Sequence, residues 1–371
     1  MRRLGRDATT GRDGPVKLAT LFSGYADPVE IGTGGLSTVY RATETGTGRQ
    51  VALKLLNVRE VSRPALESFE RESQALGRLG AHPNIVTLYR TFHTPDGRPV
   101  LVLELCTGSV ADRAAGAQLM PVAEVVALGI KLSGALETAH RAEILHRDVK
   151  PQNVLMTAFG EPALADFGVA MLQSSTQTTA GLFDFTTLHV APELLEGGQA
   201  SPATDVYELA STLYQLLAGQ SAFRAFAGES PASIILRILR DPVQPLIRPD
   251  VPVGLSDVLL AAMAKAQQDR PPTALEFGQA LAGIEQRQGW PATVLPLPEP
   301  VPASPAGLAV PAASIPVEWS EPRLVTGLRC HCERGHLVRI GLQFCPICGS
   351  SAIRPGVAEP PPAEPAGIGG R

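Results

Sequence analysis

The 371-residue sequence predicts an α+β protein in which a small, mostly β lobe precedes a larger, mostly helical lobe. Two observations support this fold class. Before residue 105 the apolar residues come in short runs, as in strands. After residue 120 they recur at intervals of three and four, as on one face of a helix. Two lobes of different secondary structure leave a cleft between them, and ligands tend to bind in such clefts.

Three apolar runs define the predicted strands of the first lobe, Val51–Leu56, Ile85–Phe92 and Val100–Leu105. One helical segment, Pro64–Leu79, interrupts them, and Pro suits a first helical turn because its missing N–H is not needed there. In the second lobe the spacing predicts one buried helix face, formed by Val125, Leu128, Leu132, Ala135 and Ala139.

Composition divides the chain into five parts. Residues 1–22 show no apolar period and are expected to be a disordered arm, whereas residues 23–286 form the large domain. Residues 287–326 are rich in Pro and Ala, which predicts an extended linker. Residues 327–352 hold four of the five Cys, and residues 353–371 are expected to be a disordered tail.

The composition also excludes several kinds of partner. The net charge is −4, with 32 basic and 36 acidic residues, so there is no electrostatic reason to expect nucleic acid or an anionic membrane. No apolar run approaches the roughly 18 residues that a membrane span needs, and the basic N-terminus lacks the apolar stretch of a secretory signal. We therefore expect a protein of the reducing cytoplasm, where five Cys are not a disulfide framework.

A glycine-rich segment near the start of the first lobe is the first chemical signal. It reads Ile31-Gly32-Thr33-Gly34-Gly35-Leu36-Ser37-Thr38-Val39-Tyr40. Glycines let the backbone approach a phosphate because no Cβ stands in the way. A plain hairpin accounts for the same pattern equally well, so the segment alone decides nothing.

Lys54 lies within the apolar run Val51–Leu56. An unpaired ammonium group is costly to bury, so this residue needs an anion. Nucleotide phosphate together with a carboxylate would serve. The candidate carboxylate is Glu72, which its spacing places toward the packed side of the predicted helix, with Glu67 and Glu70 as alternatives.

Three further motifs follow in order, His146-Arg147-Asp148-Val149-Lys150-Pro151-Gln152-Asn153, Asp166-Phe167-Gly168 and Ala191-Pro192-Glu193. Together with the glycine-rich segment and Val51-Ala52-Leu53-Lys54, this ordered set resembles the eukaryotic-type protein kinase family, in particular bacterial Ser/Thr kinases. The resemblance covers roughly residues 25–285. It implies a bilobal protein kinase-like fold with a β-rich N-lobe and a helical C-lobe. It also implies transfer of the γ-phosphoryl group of ATP.

The resemblance implies a role for each charged motif residue. Asp148 would accept the proton of the substrate hydroxyl, and Lys150 would help to neutralise the transferring phosphoryl group. Lys54 would hold the α- and β-phosphates and pair with Glu72.

The same resemblance places the nucleotide and its metal ion. Mg²⁺, with Mn²⁺ as a substitute, would be bound by the oxygen ligands of Asn153 and Asp166. The residues expected to bind ATP are Ile31, Gly32, Gly34, Gly35, Val39, Ala52, Lys54, Glu104, Cys106 and Leu155. Leu103 falls where the family gates the back of the adenine pocket.

Other matches are expected to be structural. Arg270 matches the family's Arg that pairs with the Glu of the Ala-Pro-Glu motif, here Glu193. Asp205 matches the Asp that anchors the backbone of the catalytic loop. His146 and Phe167 would pack in the family's hydrophobic spine.

The activation segment, Asp166 to Glu193, carries a cluster of hydroxyl side chains, Ser174, Ser175, Thr176, Thr178 and Thr179. Autophosphorylation is predicted there, with Thr178 or Thr179 as the modified residue, because the added charge can pair with Arg147. Near its end, Phe185, Thr187 and His189 depart from the family's commoner Gly-Thr-Pro and Tyr, which leaves the shape of the peptide-docking surface open.

The Cys-rich segment near the C-terminus predicts a zinc site. Cys345 and Cys348 form a knuckle of the kind that binds tetrahedral Zn²⁺. Cys332 and His336 are the expected second pair, by resemblance to small zinc-ribbon modules, and Cys330 with Cys332 is the alternative. About two dozen residues cannot fold on apolar burial alone, so a structural metal is required if the segment is ordered. Contact with a protein partner is the expected role.

The sequence thus favours a serine/threonine-protein kinase that acts on Ser and Thr hydroxyls of proteins, followed by a zinc ribbon-like module. A second hypothesis is a weakly active or inactive kinase-fold scaffold, motivated by the unusual residues 185–190. A third, a small-molecule kinase of related fold, is disfavoured because such relatives generally lack the Ala-Pro-Glu segment.

Overall fold

The computed structural model describes residues 18–298, except 19, 35–36, 57–76, 78, 80–81, 116–118, 168–187, 225 and 227–228, and three short strands between residues 329 and 354. The chain divides into two compact units, residues 1–300 and residues 301–371. Within the described ranges, no helix has the length and apolar character that crossing a membrane requires.

A five-stranded antiparallel sheet forms the first lobe, in the order β1-β2-β3-β5-β4. Its strands are β1 Tyr25–Thr33, β2 Ser37–Glu44, β3 Gln50–Leu56, β4 Leu88–His93 and β5 Pro99–Glu104. One face buries a core of Phe22, Tyr25, Tyr40, Ala42, Val51, Leu53, Leu55, Val100 and Val102. Because side chains alternate along a strand, Lys54 points to the opposite face of the central strand β3.

The three predicted strands are confirmed, but β4 begins later than its apolar run. Ile85 and Val86 do not belong to the five-stranded sheet. Instead, Val86 N donates to Leu164 O at 2.9 Å, and Ile85 forms an isolated bridge with Leu164. The apolar run therefore serves two different partners, which its periodicity cannot distinguish.

The second lobe is mainly helical. Its helices are α1 Val110–Ala114, α2 Val122–Arg141, α3 Pro192–Leu195, α4 Pro202–Ala218, α5 Pro231–Arg240, α6 Leu255–Ala262 and α7 Ala274–Gln288. The predicted apolar face of α2 is buried. A Cβ at Gly129 of α2 would lie 2.7 Å from methyl groups of both Leu213 and Leu281. Glycine therefore allows α2, α4 and α7 to approach closely.

A small sheet of β6 Gly108–Ser109, β7 Val154–Met156 and β8 Pro162–Leu164 lies in this lobe, in the order β6-β7-β8. β7 and β8 are antiparallel, with Val154 opposite Leu164. The start of β7 therefore lies beside the end of β8, and Ala165 N donates to Asn153 O at 2.8 Å. This hairpin brings Asn153 and Asp166 together although 12 residues separate them in the sequence.

Residues 290–298, here called the strap, follow α7 and lie against the helical lobe. Thr293 donates its N–H and its hydroxyl to the carboxylate of Glu285, each at 2.6 Å. Leu295 packs against Gly278 of α7. A Cβ added to Gly278 would lie 2.6 Å from a methyl group of Leu295. The first residues of the segment predicted as a linker are thus bound to the lobe.

The far part of the strap reaches the turn that precedes β4. Pro296 lies over Gly134 of α2, and its carbonyl oxygen is 3.2 Å from Nε2 of His82. His82 Nδ1 accepts the N–H of Asn84 at 3.1 Å, so Nε2 carries the proton that is donated to Pro296. Asn84 in turn donates its side-chain amide to Pro162 O, at the start of β8, at 2.6 Å.

The second unit contains a three-stranded antiparallel sheet. Its strands are β9 Arg329–Cys332, β10 Leu337–Arg339 and β11 Ile353–Arg354, in the order β10-β9-β11. Cys332 ends β9 and pairs with Ile353 of β11.

The variant Gly134→Ala tests the contact between the strap and α2. A Cβ there would stand 2.4 Å from the carbonyl oxygen of Pro296, so backbone must move. We expect the free energy of unfolding to fall by about 1–3 kcal/mol in denaturant titrations. The control Gly283→Ala meets only the end of the Arg287 side chain, at 3.4 Å, and should be neutral or stabilising. Equal changes in the free energy of unfolding for the two variants would contradict the close contact of Pro296 with Gly134.

Candidate active site

The loop of residues 146–153, between α2 and β7, is anchored by Asp205 in the first turn of α4. The fully buried Asp205 carboxylate accepts the N–H groups of His146 at 2.9 Å and Arg147 at 2.8 Å. It also bonds Nε2 of His140 at 2.7 Å. Arg147 has a φ of +65°, in the left-handed region that costs a non-glycine residue free energy. The bonds from Asp205 stabilise that conformation, as the resemblance implied.

Asp148 meets two other motif residues in this loop. Lys150 Nζ lies 2.8 Å from Asp148 Oδ2. The side-chain amide of Asn153 donates to the same oxygen at 2.9 Å and to the backbone carbonyl of Asp148 at 2.8 Å. The carboxylate is therefore oriented by two donors. This leaves the carbonyl oxygen of the Asn153 amide as the atom able to bind a cation.

Lys54 reaches across the cleft to Asp166. Their Nζ and Oδ1 atoms are 2.6 Å apart, with 5% of the Lys54 side chain and 32% of the Asp166 side chain exposed. Burial is the largest single influence and would raise the pKa of Asp166, but the charge and the hydrogen bond of Lys54, with smaller contributions from neighbouring groups, together hold that pKa below its usual value. Asp166 therefore stays ionised. The predicted partner Glu72 lies outside the described residues.

Asn153 and Asp166 offer the oxygen ligands predicted for a metal ion. Mg²⁺ takes one or two protein oxygens together with phosphates and waters, so a two-residue site fits it better than an all-protein cage would. Within the described part of the chain, no group of three or more His, Cys, Asp or Glu residues that could hold a metal ion occurs.

His146 connects the loop with the segment before Asp166. Its ring lies 4.4 Å from the Phe167 ring, and its Nε2 bonds Ala165 O at 2.8 Å. Nδ1 accepts the N–H of Asp148 at 3.3 Å. Burial lowers the pKa of His146, so the ring is neutral and both nitrogens serve as structural contacts. The expected packing of His146 against Phe167 is confirmed.

A mostly apolar cavity opens beside the Lys54–Asp166 pair. It is lined by Lys54, Val86, Leu88, Leu101, Leu103, Leu164, Ala165, Asp166 and Phe167. Leu103, Cys106 and Leu155 pack against Val86, Ala163 and Ala165. Of the predicted nucleotide-binding residues, Lys54 lines this cavity, as does Leu103, which the resemblance places at the back of the adenine pocket.

The remaining described nucleotide-binding candidates do not line this cavity, but in the sheet Val39 pairs with Lys54 and Ala52 pairs with Leu103. Ala52 is buried, whereas Val39 is half-buried. Glu104 N donates to Thr87 O at 2.9 Å, which holds the end of β5. Burial, helped by the negative charge of Glu104, raises the pKa of the Cys106 thiol to about 11, so this Cys is a weak nucleophile at neutral pH.

The glycine-rich segment forms the hairpin between β1 and β2. The strands pair from Tyr25 opposite Glu44 to Thr33 opposite Thr38. Ile31, Gly32 and Gly34 are exposed. Gly35 lies outside the described residues, as do His336, Cys345 and Cys348 of the predicted zinc site, and of Cys332 only the backbone is described.

The expected pair of Glu193 and Arg270 is present. Arg270 is fully buried and donates from Nη1 to Glu193 Oε1 at 2.9 Å and from Nη2 to Oε2 at 2.8 Å. Thr204 donates to Glu193 Oε1 at 2.8 Å. This bidentate pair fixes the start of α3 to the segment before α7.

His189 is buried beside α4. Its Nδ1 lies 3.0 Å from the hydroxyl of Ser211, and burial lowers its pKa to about 4. It therefore acts as a neutral packing group. Phe185, Thr187 and the predicted phosphorylation sites lie outside the described residues.

Sequence reasoning did not single out Glu208 of α4. Its carboxylate accepts the N–H of Val149, between Asp148 and Lys150, at 2.8 Å. A signal was available, because Glu208 is an acid inside the apolar stretch Val206–Leu217. The reasoning applied to Lys54, that a charge in an apolar run needs a partner, would have identified it.

Comparisons with known proteins agree with this geometry. Residues 25–272 match the protein kinase domain family. The chain is similar to the serine/threonine-protein kinase PknK of Mycobacterium tuberculosis, with 38% identity over 279 residues, which are 75% of this chain and 25% of PknK. It therefore spans about a quarter of the length of that relative.

Two further relatives cover more of their own length. The serine/threonine-protein kinase PknL of Mycobacterium tuberculosis is 33% identical over 294 residues, which are 78% of this chain and 72% of PknL. The crystal structure of the Mycobacterium tuberculosis PknI kinase domain superposes with a TM-score of 0.54 and 28% identity, covering 70% of this chain and 96% of that domain. The fold expected from the sequence, a β-rich lobe followed by a helical one, is confirmed.

Proposed function

Since the chain belongs to the protein kinase family, we propose that it is a serine/threonine-protein kinase that transfers the γ-phosphoryl group of ATP to Ser and Thr hydroxyls of proteins. One observation carries the proposal. Asp148, Lys150 and Asn153 form one bonded cluster, and Lys54 and Asp166 form a second at the mouth of an apolar cavity. ATP is available in the cytoplasm, where we place the reaction.

The chain's own residues position the reactants. In this proposal Val39, Ala52 and Leu155 would contact the adenine, and Lys54 would direct its ammonium group toward the phosphates. Asn153 and Asp166 would hold Mg²⁺, which would supply positive charge to the phosphates during transfer. Asp148 orients the hydroxyl of the protein substrate and accepts its proton.

Lys150 has a second role beside Asp148. Its ammonium group, 2.8 Å from that carboxylate, stands next to the position of the attacking hydroxyl. A fixed positive charge there stabilises the transferring phosphoryl group without reorganisation during the reaction. A lysine two residues after the proposed base also agrees with a preference for Ser and Thr over Tyr.

The variant Asp148→Asn tests the proposed activity. An amide retains the shape of the side chain but cannot accept the proton, so we expect phosphoryl transfer to fall by about 10²–10⁴-fold. The measurement is transfer of labelled phosphate from ATP with Mg²⁺ to a generic protein substrate. Asp257→Asn, an exposed acid on α6, is the matched control and should retain full activity.

Wild type that binds nucleotide in a thermal-shift assay but transfers no phosphate would favour the scaffold alternative. Equal transfer by wild type and Asp148→Asn would show that the labelling does not come from this site.

Autophosphorylation belongs to the same proposal. We expect phosphate at Thr178 or Thr179 after incubation with ATP, because an acquired charge there can pair with Arg147 beside Asp148. Phosphopeptide mapping by mass spectrometry measures it, with the Asp148→Asn protein as the background. A map without phosphate anywhere in residues 174–179 would reject this part and leave substrate phosphorylation standing.

We also propose that residues 327–352 form a zinc ribbon that contacts a protein partner. Strands β9, β10 and β11 support this, since they form a sheet too small to be stable on apolar burial alone. Cys332 and His336 would supply one ligand pair, and Cys345 and Cys348 the other. With four protein ligands the metal would be structural.

Metal analysis of the purified full chain tests the ribbon. We expect about one Zn²⁺ per chain, lost in Cys345→Ser and Cys348→Ser because the knuckle then lacks a thiolate. The control Cys106→Ser should retain the metal, since Cys106 lies beside the cavity. Comparison of Cys330→Ser with Cys332→Ser identifies the second pair. Zinc-free wild type would refute the ribbon.

A further inference from the structure

Glu208 is a buried acid that the proposed reaction does not use. It lies one turn after Asp205 on α4, with 1% of the residue exposed. One carboxylate oxygen accepts the N–H of Val149 at 2.8 Å. The other is buried and has no hydrogen-bond partner among the described residues. The contacted peptide group lies directly between Asp148 and Lys150.

Glu208 belongs to a row of α4 side chains that hold the catalytic loop. Asp205 binds the N–H groups of His146 and Arg147. Thr212, one turn after Glu208, donates its hydroxyl to Val149 O at 3.1 Å. Glu208 and Thr212 therefore fix both polar groups of Val149, and with them the direction in which the backbone leaves Asp148.

The surroundings of Glu208 are acidic. The titratable groups that face it are Asp205 on its own helix, Asp148 in the loop and Glu193 at the start of α3. Of the nearby cations, Lys150 pairs with Asp148 and Arg270 with Glu193, while His140 of α2 binds Asp205. Arg147 of the loop has a buried Nε without a hydrogen-bond partner among the described residues, and no hydrogen bond or ion pair with Glu208.

A charged Glu208 would therefore add a further negative charge without a partner. Burial, and next to it the charge of Asp205, raise the pKa of Glu208 well above its usual value. One hydrogen bond from Val149 is too little to offset that cost. The unpartnered oxygen is consistent with a neutral acid, in which it carries the proton.

We propose that Glu208 is a positioning residue that holds the catalytic loop as a neutral carboxylic acid, and that its ionisation loosens the loop through repulsion of Asp148. The inference rests on the proposed kinase function for its effect on the reaction. Its effect on stability does not depend on that function.

The sign of the pH dependence follows from proton binding. Above the usual pKa of a carboxyl group the unfolded chain has released this proton, whereas the folded chain still holds it. The contribution of Glu208 to stability therefore falls as pH rises from the usual carboxyl range toward the raised pKa. A side chain that is neutral at every pH removes this loss.

The variant Glu208→Gln introduces a side chain that is neutral at every pH. Its amide oxygen can still accept the N–H of Val149. We expect its Tm to equal that of wild type near about pH 5 and to exceed it increasingly toward about pH 8.5. We expect its kcat to stay within about threefold of wild type near neutral pH and to decline less at alkaline pH.

Two further variants complete the test. Glu208→Ala leaves the Val149 N–H unpaired and should lower kcat at least about fivefold, with the KM for ATP unchanged. Glu285→Gln replaces a buried acid that bonds Thr293 away from the loop, and it should leave the pH profile of kcat unchanged.

A Tm difference between Glu208→Gln and wild type that is constant across this pH range would overturn the inference, as would a Glu208→Gln protein that fails to fold at neutral pH. Loss of activity in Glu208→Gln as severe as in Glu208→Ala would also overturn it. If wild type transfers no phosphate, the proposed function fails, and the Tm comparison still decides whether Glu208 is neutral.

Discussion

The hydrogen bonds between the acids of α4 and the N–H groups of residues 146, 147 and 149 are the constraint on which the active-site geometry depends. A loop with Arg147 in a left-handed conformation does not adopt its shape by local preference. A rigid buried helix supplies the acceptors. Asp148 and Lys150 can then be held in fixed positions without being buried themselves.

The second constraint is electrostatic and joins the two lobes. Lys54 comes from the central strand of the sheet, and Asp166 comes from the segment after the β7–β8 hairpin. Each charge is unfavourable in its own lobe without the other or a bound anion and cation. This explains why the two residues are in direct contact beside the apolar cavity.

Much of this arrangement could be predicted from the sequence, because Lys54, Asp148 and Asp166 belong to motifs in which each residue type has a chemical reason. The pairing of Ile85 with Leu164 and the contact of Pro296 with His82 could not, since periodicity shows that a segment is covered but not by which residue. Glu208 was overlooked because no motif contains it. The Lys54–Glu72 pair and the zinc ligands stay predictions.

The strap changes the point from which the rest of the chain is tethered. Since Pro296 is held at the turn of His82, the last described residues of this unit end beside that turn and not at the end of α7. A pull on the strap would therefore act first on the His82 turn, whose neighbour Asn84 is bonded to the strand that leads to Asp166.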